Sequence, residues 1–497
     1  MSDVVLGVDI GTSSSKGVIV DLEGVVLATA VREHSVSRPK PGWVEMDAAI
    51  WWDEFVSISA ELLASDKVSG TSVVAVGVSG MGPCVAITDA AGEPLRPAIL
   101  YGVDTRATAQ IERLTAELGN ENILHRGGSA LSTQAAGPKL AWIAENEPEA
   151  FSAARRLFMP SSWLAFKLSG SYVLDHESAS QCTPLYDTIE NGWYRPWADL
   201  IAPQIELPAL VWADDVVGTV SAEAAAATGL PDGIPVVAGT IDAWTEAVSV
   251  DAQNPGDLML MYGTTMFLVN TIHERITVPT LWGTVGAFEG TRNLAGGMAT
   301  SGAITGWLRE LFGSPEFPVL LAEAERSGPG AHGLLMLPYF AGERTPIMDP
   351  DARGTITGLT LSHTRGDLYR AALEATALGV RHNVETMRAA GSRIERIVAV
   401  GGGTQGSLWT QIVSDVTGLP QVIPSVTIGA SYGAAYLAAL SVADVSITEW
   451  NPAAEIREPN ESLRASYDEL YELYLALYPA SRSIAHALAE RERSLAD

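Results

Sequence analysis

A chain of 497 residues that is 47% hydrophobic and 18% charged has the composition of a globular protein and the length of two or three domains, each able to bury its own core. Its 59 acidic against 31 basic residues leave a net charge of −28, which argues against nucleic acid and anionic membrane as partners, since both reward basic patches. Two distant cysteines, Cys84 and Cys182, make neither a disulfide framework nor a zinc site and predict a reducing cytoplasm; no leader-like start or apolar run of about 18 residues predicts a membrane span.

The first stretch, VLGVDIGTSSSKGVIVD (residues 5–21), reads as strand, turn, strand. Its turn, Gly11 to Gly17, is small and hydroxylated and carries one cation, Lys16. Glycine admits close backbone approach, and successive amides and the hydroxyls of Thr12, Ser13 and Ser14 can face phosphate oxygens. Asp9, at the strand end, suits a Mg²⁺-bound water better than phosphate. The plain alternative is a hairpin with a polar tip. A third strand of the meander follows in residues 23–36, then a proline-rich loop with Trp43 and a helix entered at Asp47.

Residues 72–82 read as a buried strand ending in a glycine-rich turn, where α/β proteins place ligands. Residues 84–106 read as a hairpin turning at Ala91-Gly92, followed by Asp104 and Arg106; residues 107–215 read as mostly helical. Residues 233–251 run from a β-branched strand through Gly239-Thr240-Ile241-Asp242 into a helix. Asp242 either faces a cleft or caps that helix, a role worth about 1 kcal/mol.

The opening pattern then recurs. GDLMLMYGTTMFLVN (residues 256–270) is strand, Gly263-Thr264-Thr265, strand, half a chain later. Two such units predict two similar domains facing each other across a cleft, each offering an amide-and-hydroxyl turn to one phosphate chain. Small residues lead into a helix across residues 293–311, and a long polar loop fills 337–359 before an amphipathic helix. Gly401, Gly402 and Gly403 are read as opening a helix after a strand, where bare backbone admits a flat or anionic ligand. Residues 431–440 form a small-residue helix expected to pack tightly on a sheet, and the remainder is helical and charged. No Gly-Lys dipeptide occurs, so a Walker phosphate loop is absent.

Asp9-Ile10-Gly11-Thr12-Ser13 with Lys16, Pro41-Gly42-Trp43, Leu95 to Leu100, Gly239 with Asp242, Tyr262-Gly263-Thr264-Thr265, Gly342-Glu343-Arg344-Thr345-Pro346 and Gly401-Gly402-Gly403 follow in an order that resembles the FGGY carbohydrate kinases. The resemblance runs from residue 4 to about residue 440, and within the family it is nearest to the kinases of D-xylulose. It implies an α/β, two-domain actin/hexokinase-like (ribonuclease H-like) fold with the active site in the interdomain cleft. Residues 1–245 would be the sugar-binding side and residues 246–497 the ATP-binding side. It also implies transfer of the ATP γ-phosphate to a sugar hydroxyl, with Asp242 as general base and Asp9 organising Mg²⁺. Thr12 and Ser13, with Gly263 and Thr264, would match the phosphate turns, and Gly302, Gly402 and Gly403 the nucleoside pocket. Relatives are commonly homodimers, and that analogy is the basis for expecting one here.

The substrate side departs from the xylulokinase pattern. Met81-Gly82-Pro83-Cys84 stands where Gln-Met-His-Gly is usual, so Gly82 and Pro83 replace a Met-His pair that touches sugar. Asp104 sits in a loop one residue longer than the usual aromatic-Asn-Asp-x-Arg. D-xylulose is therefore the first expectation, with ribulose, a tetritol, glycerol or gluconate as the alternative. A sugar-sensing regulator on the same fold would need a DNA-binding segment, and a chaperone-type ATPase a separate peptide-binding domain; neither is expected.

Overall fold

The computed structural model describes residues 2–496. The chain forms two compact units that interleave in sequence. Unit 1 runs to Gln253 and adds His273–Asn293 and Ile428–Pro452; unit 2 comprises Asn254–Ile272, Leu294–Thr427 and the residues from Ala453 on.

Unit 1 is built on a mixed sheet whose strands are β1 (Ser2–Ile10), β2 (Ser14–Asp21), β3 (Val26–Glu33), β4 (Thr71–Gly80), β5 (Val216–Thr219) and β6 (Pro235–Val237), in the order β5-β6-β4-β1-β2-β3. A two-residue strand, β7 (Thr240–Ile241), also pairs with β4. β1 runs parallel to β4 and antiparallel to β2, the expected hairpin. Side chains alternate along β1 with period two. Val4, Leu6, Val8 and Ile10 share one core with Trp51, Phe55 and Ile58 of helix α1 (Ala48–Leu63), whose N-cap Asp47 accepts a hydrogen bond from the Ala49 amide.

The opposite face of β1 carries Val5, Gly7 and Asp9, and it is covered by the Ala430–Leu440 helix. Gly7 and Gly77 are register partners on β1 and β4. A Cβ on Gly7 would lie 2.1 Å from the Ser431 carbonyl oxygen, and one on Gly77 1.9 Å from that of Ala434. Only bare backbone on the sheet allows the small-residue helix to sit this close. The tight packing expected of residues 431–440 is present, on the sheet of unit 1.

Unit 2 repeats the plan with β8 (Asp257–Tyr262), β9 (Met266–Ile272), β10 (Arg292–Met298), β11 (Arg396–Val400), β12 (Gln421–Pro424) and β13 (Ala453–Arg457), in the order β13-β12-β11-β8-β9-β10. As in unit 1, the central hairpin is antiparallel, its first strand has a parallel neighbour, and the next pair outward is parallel again before an antiparallel edge. The internal repeat read from two Gly-Thr turns is a repeat of the whole sheet.

Two local expectations change. Ala86–Thr88 pairs with Arg156–Phe158, so the predicted hairpin over 84–106 survives mainly as the Val85–Ile99 and Thr88–Pro94 bridges. The stretch 107–215 is helical in pieces up to Ser180 and, beyond it, only across Arg195–Ile201. Among the described residues no helix is long and apolar enough to cross a membrane.

Candidate active-site residues in the two units

In unit 1 the parallel strands β1, β4 and β7 end at one edge of the sheet. Asp9 is the register partner of Ser79, and Ser79 in turn of Thr240, which places Asp242 two residues beyond, as the first residue of helix α2 (Asp242–Ser249). The strands thus bring Asp9 and Asp242, distant in sequence, to the same edge, the usual ligand position in a parallel sheet. Asp242 is not the N-cap of α2, a position taken by Ile241; its Oδ1 accepts the Ala243 amide at 2.7 Å.

Glu246, one helical turn past Asp242, completes an acidic cluster that sequence reasoning passed over; its signal was the four-residue spacing on a helix. Burial, then the Asp242 and Glu246 charges, push Asp9 up to about 8, against the pull of Lys16. Burial pushes Asp242 up to about 6, opposed by the Ala243 amide. Burial and the Asp242 charge raise Glu246 to about 7, while Lys16 and the Ala430 amide act the other way. Lys16, opposite Asp9 in the hairpin, donates to the Ile428 carbonyl at 3.0 Å, so its ammonium is anchored beside the acids. Asp9 Oδ1 is buried without a hydrogen-bond partner. An orphaned carboxylate oxygen among like charges fits a divalent cation. Among the described residues no group of three or more His, Cys, Asp or Glu side chains is placed to hold a metal ion.

The Gly11 turn closes on itself, the Gly11 amide donating to the Ser14 carbonyl at 3.0 Å. The amides of Thr12 and Ser13 donate to nothing among the described residues, and Ser13 is exposed. The Thr12 hydroxyl meets the Tyr101 hydroxyl at 2.7 Å. Ser14 begins β2 and supplies the carbonyl that closes the turn.

On the substrate side, Met81 hangs from the end of β4 with its amide on the Ile10 carbonyl at 2.8 Å. Met81, Pro83 and Cys84 are buried. Gly82 packs against Ile241, where a Cβ would come within 2.6 Å of Cδ1. The Met81–Pro83 segment therefore adjoins the residue preceding Asp242. Asp104, by contrast, turns inward. Its carboxylate accepts the Val44 amide at 2.6 Å and Arg106 Nη2 at 2.7 Å, with a side chain 0% exposed. Arg106 lies over the Trp43 ring at 4.2 Å and also meets Glu45. Asp104 thus holds the Trp43 loop in place.

In unit 2 the second turn closes in the same manner, the Gly263 amide donating to the Thr265 carbonyl at 3.1 Å. Thr264 is exposed at the tip, while its carbonyl accepts the Ser301 and Ala303 amides. Gly302 opens helix α3 (Gly302–Leu311) and donates to the Gly263 carbonyl at 3.0 Å, an approach that leaves 2.6 Å for a Cβ. Gly263, Thr264 and Gly302 therefore form one surface. Gly401, with φ of +92°, lies against the Tyr262 carbonyl, so the glycine triplet also borders this turn. The triplet opens a short 3-10 turn, Gly402–Gln405, instead of a helix, which starts only at Ser407. Gly402 is exposed with nothing within 4 Å of a Cβ, and Gly403 packs on Trp409.

Glu343 ties the long loop to this region by accepting the Ala299 amide at 2.8 Å and the Arg344 amide at 2.7 Å. Burial raises it from 4.5 to about 8. A carboxyl whose folded value is raised favours the folded state below its ordinary range, and that contribution is lost as the pH climbs towards the raised value. Glu343→Gln, which keeps the acceptor oxygen, is therefore expected to melt less pH-dependently than wild type between pH of about 5 and 8. Parallel melting curves across that window would show that Glu343 is ionised in the fold.

The N-terminal domain of the FGGY family of carbohydrate kinases matches residues 4–249, and the C-terminal domain of that family matches residues 258–442. The crystal structure of xylulose kinase from Rhodospirillum rubrum superposes with a TM-score of 0.90 at 33% identity, covering 97% of this chain and 100% of that one. Xylulose kinase of Escherichia coli (strain K12) is 28% identical over 487 residues, 95% of this chain and 98% of its own. Glycerol kinase of Nocardia farcinica is 31% identical over 460 residues, 89% and 91% of the two chains. The duplicated mixed sheet with its two glycine-hydroxyl turns is the actin/hexokinase-like fold. The chain belongs to the FGGY family of carbohydrate kinases and is a sugar-phosphorylating phosphotransferase.

Proposed function

We propose that the protein transfers the γ-phosphate of ATP to a hydroxyl of a ketopentose, D-xylulose first, in the reducing interior of the cell. The observation that carries the reading is the convergence of Asp9 and Asp242 on one sheet edge, at the ends of the parallel strands β1 and β7 that flank β4, beside a turn whose Thr12 and Ser13 amides donate to nothing among the described residues. Asp242 takes the proton of the attacking hydroxyl as the oxygen bonds to phosphorus and the bond to ADP breaks. Transfer through a loose transition state needs mainly positioning and neutralised charge. Asp9 would hold Mg²⁺, which when bound supplies positive charge at the phosphates. In unit 2, Gly263, Thr264, Gly302, Gly402 and Gly403 are the groups available to ATP; in unit 1 the amides of Thr12 and Ser13 are available to a phosphate. The choice of D-xylulose rests on the xylulose kinases among the relatives.

A second reading, another polyol such as ribulose, a tetritol, glycerol or gluconate, is favoured by the bare Gly82 and buried Pro83, and by the glycerol kinases among the relatives. The test is ATP consumption with Mg²⁺ across ketoses, pentitols, tetritols, glycerol and gluconate. Turnover chiefly on D-xylulose supports the first reading. Preference for another acceptor supports the second, and ATP binding without turnover on any acceptor overturns both.

A further inference from the structure

The first turn is held from behind by a residue with no part in the reading above. His34 lies just past β3, where its backbone amide donates to the Ser13 carbonyl at 3.0 Å. Its ring Nε2 lies 3.1 Å from the Gly11 carbonyl oxygen. Its Nδ1 lies 3.1 and 3.0 Å from the two carboxylate oxygens of Glu54 on α1. The ring is almost wholly enclosed, with 6% of the side chain exposed. A carbonyl oxygen can only accept, so Nε2 donates to Gly11, while the Glu54 carboxylate holds the ring at Nδ1.

A trans peptide sets its C=O and N–H on opposite sides. Each carbonyl drawn back by His34 therefore turns the following amide, that of Thr12 and that of Ser14, away from His34. The Ser14 carbonyl is engaged by the Gly11 amide. The carbonyls of Gly11, Ser13 and Ser14 are thus each engaged by a donor, and the Thr12 amide is left without a partner among the described residues. Prepaid orientation of donors is what an anion-binding turn needs, since no donor then has to reorganise when charge arrives.

We propose that His34, fixed by Glu54, is a positioning residue that sets the Gly11–Ser14 turn so that its amides face the transferring phosphate of ATP. The inference rests on the kinase reading for the identity of the anion, and on the hydrogen bonds alone for the geometry.

The experiment compares His34→Ala, His34→Gln and Glu54→Gln with wild type, using the best acceptor from the panel. His34→Ala is expected to lower kcat/KM for ATP roughly tenfold or more while KM for the acceptor stays within about twofold. His34→Gln, which can still donate one N–H to the Gly11 carbonyl, is expected to recover part of that loss. Glu54→Gln is expected to fall between the two. A purely structural role would lower the melting temperature and disturb both substrates alike without rescue by glutamine, and that outcome overturns the proposal. ¹⁵N NMR of the wild-type ring, read without turnover, is expected to show a proton on Nε2, the nitrogen that faces the Gly11 carbonyl; an unprotonated Nε2 also overturns it. Because this signal needs no acceptor, silence of wild type across the panel would sink the kinase reading without touching the ring geometry.

Discussion

Asp242→Asn is expected to cut turnover by roughly 10²–10⁴-fold while leaving ADP affinity close to wild type. The size is that of removing a positioned general base, the role proposed for Asp242. The change should be silent structurally. An asparagine Oδ1 can still accept the Ala243 amide, and the loss of one negative charge relieves Asp9 and Glu246, both pushed up by Asp242. Thermal stability should hold or rise, so that reduced activity cannot be ascribed to misfolding. Turnover, calorimetric ADP titration and a melting curve on one preparation check all three. Wild-type turnover in this variant would move the base elsewhere, with Glu246 the next carboxylate to replace.

Gly77→Ala is expected to have the largest effect on stability. The added methyl would stand 1.9 Å from the Ala434 carbonyl oxygen, and no rotamer relieves a clash between a Cβ and backbone. Either the Ala430–Leu440 helix lifts off β4 or the strand bends away, and in both cases the close packing along Gly7 and Gly77 opens. Overpacking of this kind costs about 3 kcal/mol, hence a melting temperature lower by roughly 3–5 °C. Gly306→Ala is the control. It lies inside α3 with nothing within 4 Å, so the same methyl should stabilise the helix by up to about 1 kcal/mol. Differential scanning calorimetry of the two variants distinguishes a clash from a general effect of alanine.

What the sequence reveals here is local, and what it hides depends on distance along the chain. The Gly11 and Gly263 turns are legible because a strand, a glycine, hydroxyls and a strand within fifteen or so residues need nothing else to be recognised. Asp242 is legible as a residue past a strand end. That β7 lies beside β4, so that Asp242 meets Asp9, comes from pairing over more than 150 residues, which period and composition do not encode. Asp104 reads as a substrate-side carboxylate in a lengthened loop, and its hydrogen bonds with Val44 and Arg106 come from a fold that brings the Trp43 loop to it. His34 is one polar residue at the end of a strand until the turn it holds is folded. Residues 428–452 join unit 1 although they follow most of unit 2, and nothing in an alanine-rich helix says which sheet it will cover.

That last arrangement bears on how the protein is made. The β1–β4 face around Gly7 and Gly77 is complete once residue 80 has left the ribosome, but the helix that covers it begins at residue 430. At ordinary synthesis rates of ~5–20 residues per second, the intervening roughly 350 residues take about 20–70 s. Throughout that interval the face carrying Val5 and Gly7 lacks the helix that covers it in the finished fold. Unit 1 cannot finish first and serve as a template; the two units must mature together, and a nascent chain stalled before residue 430 is the species on which chaperones would be expected to act.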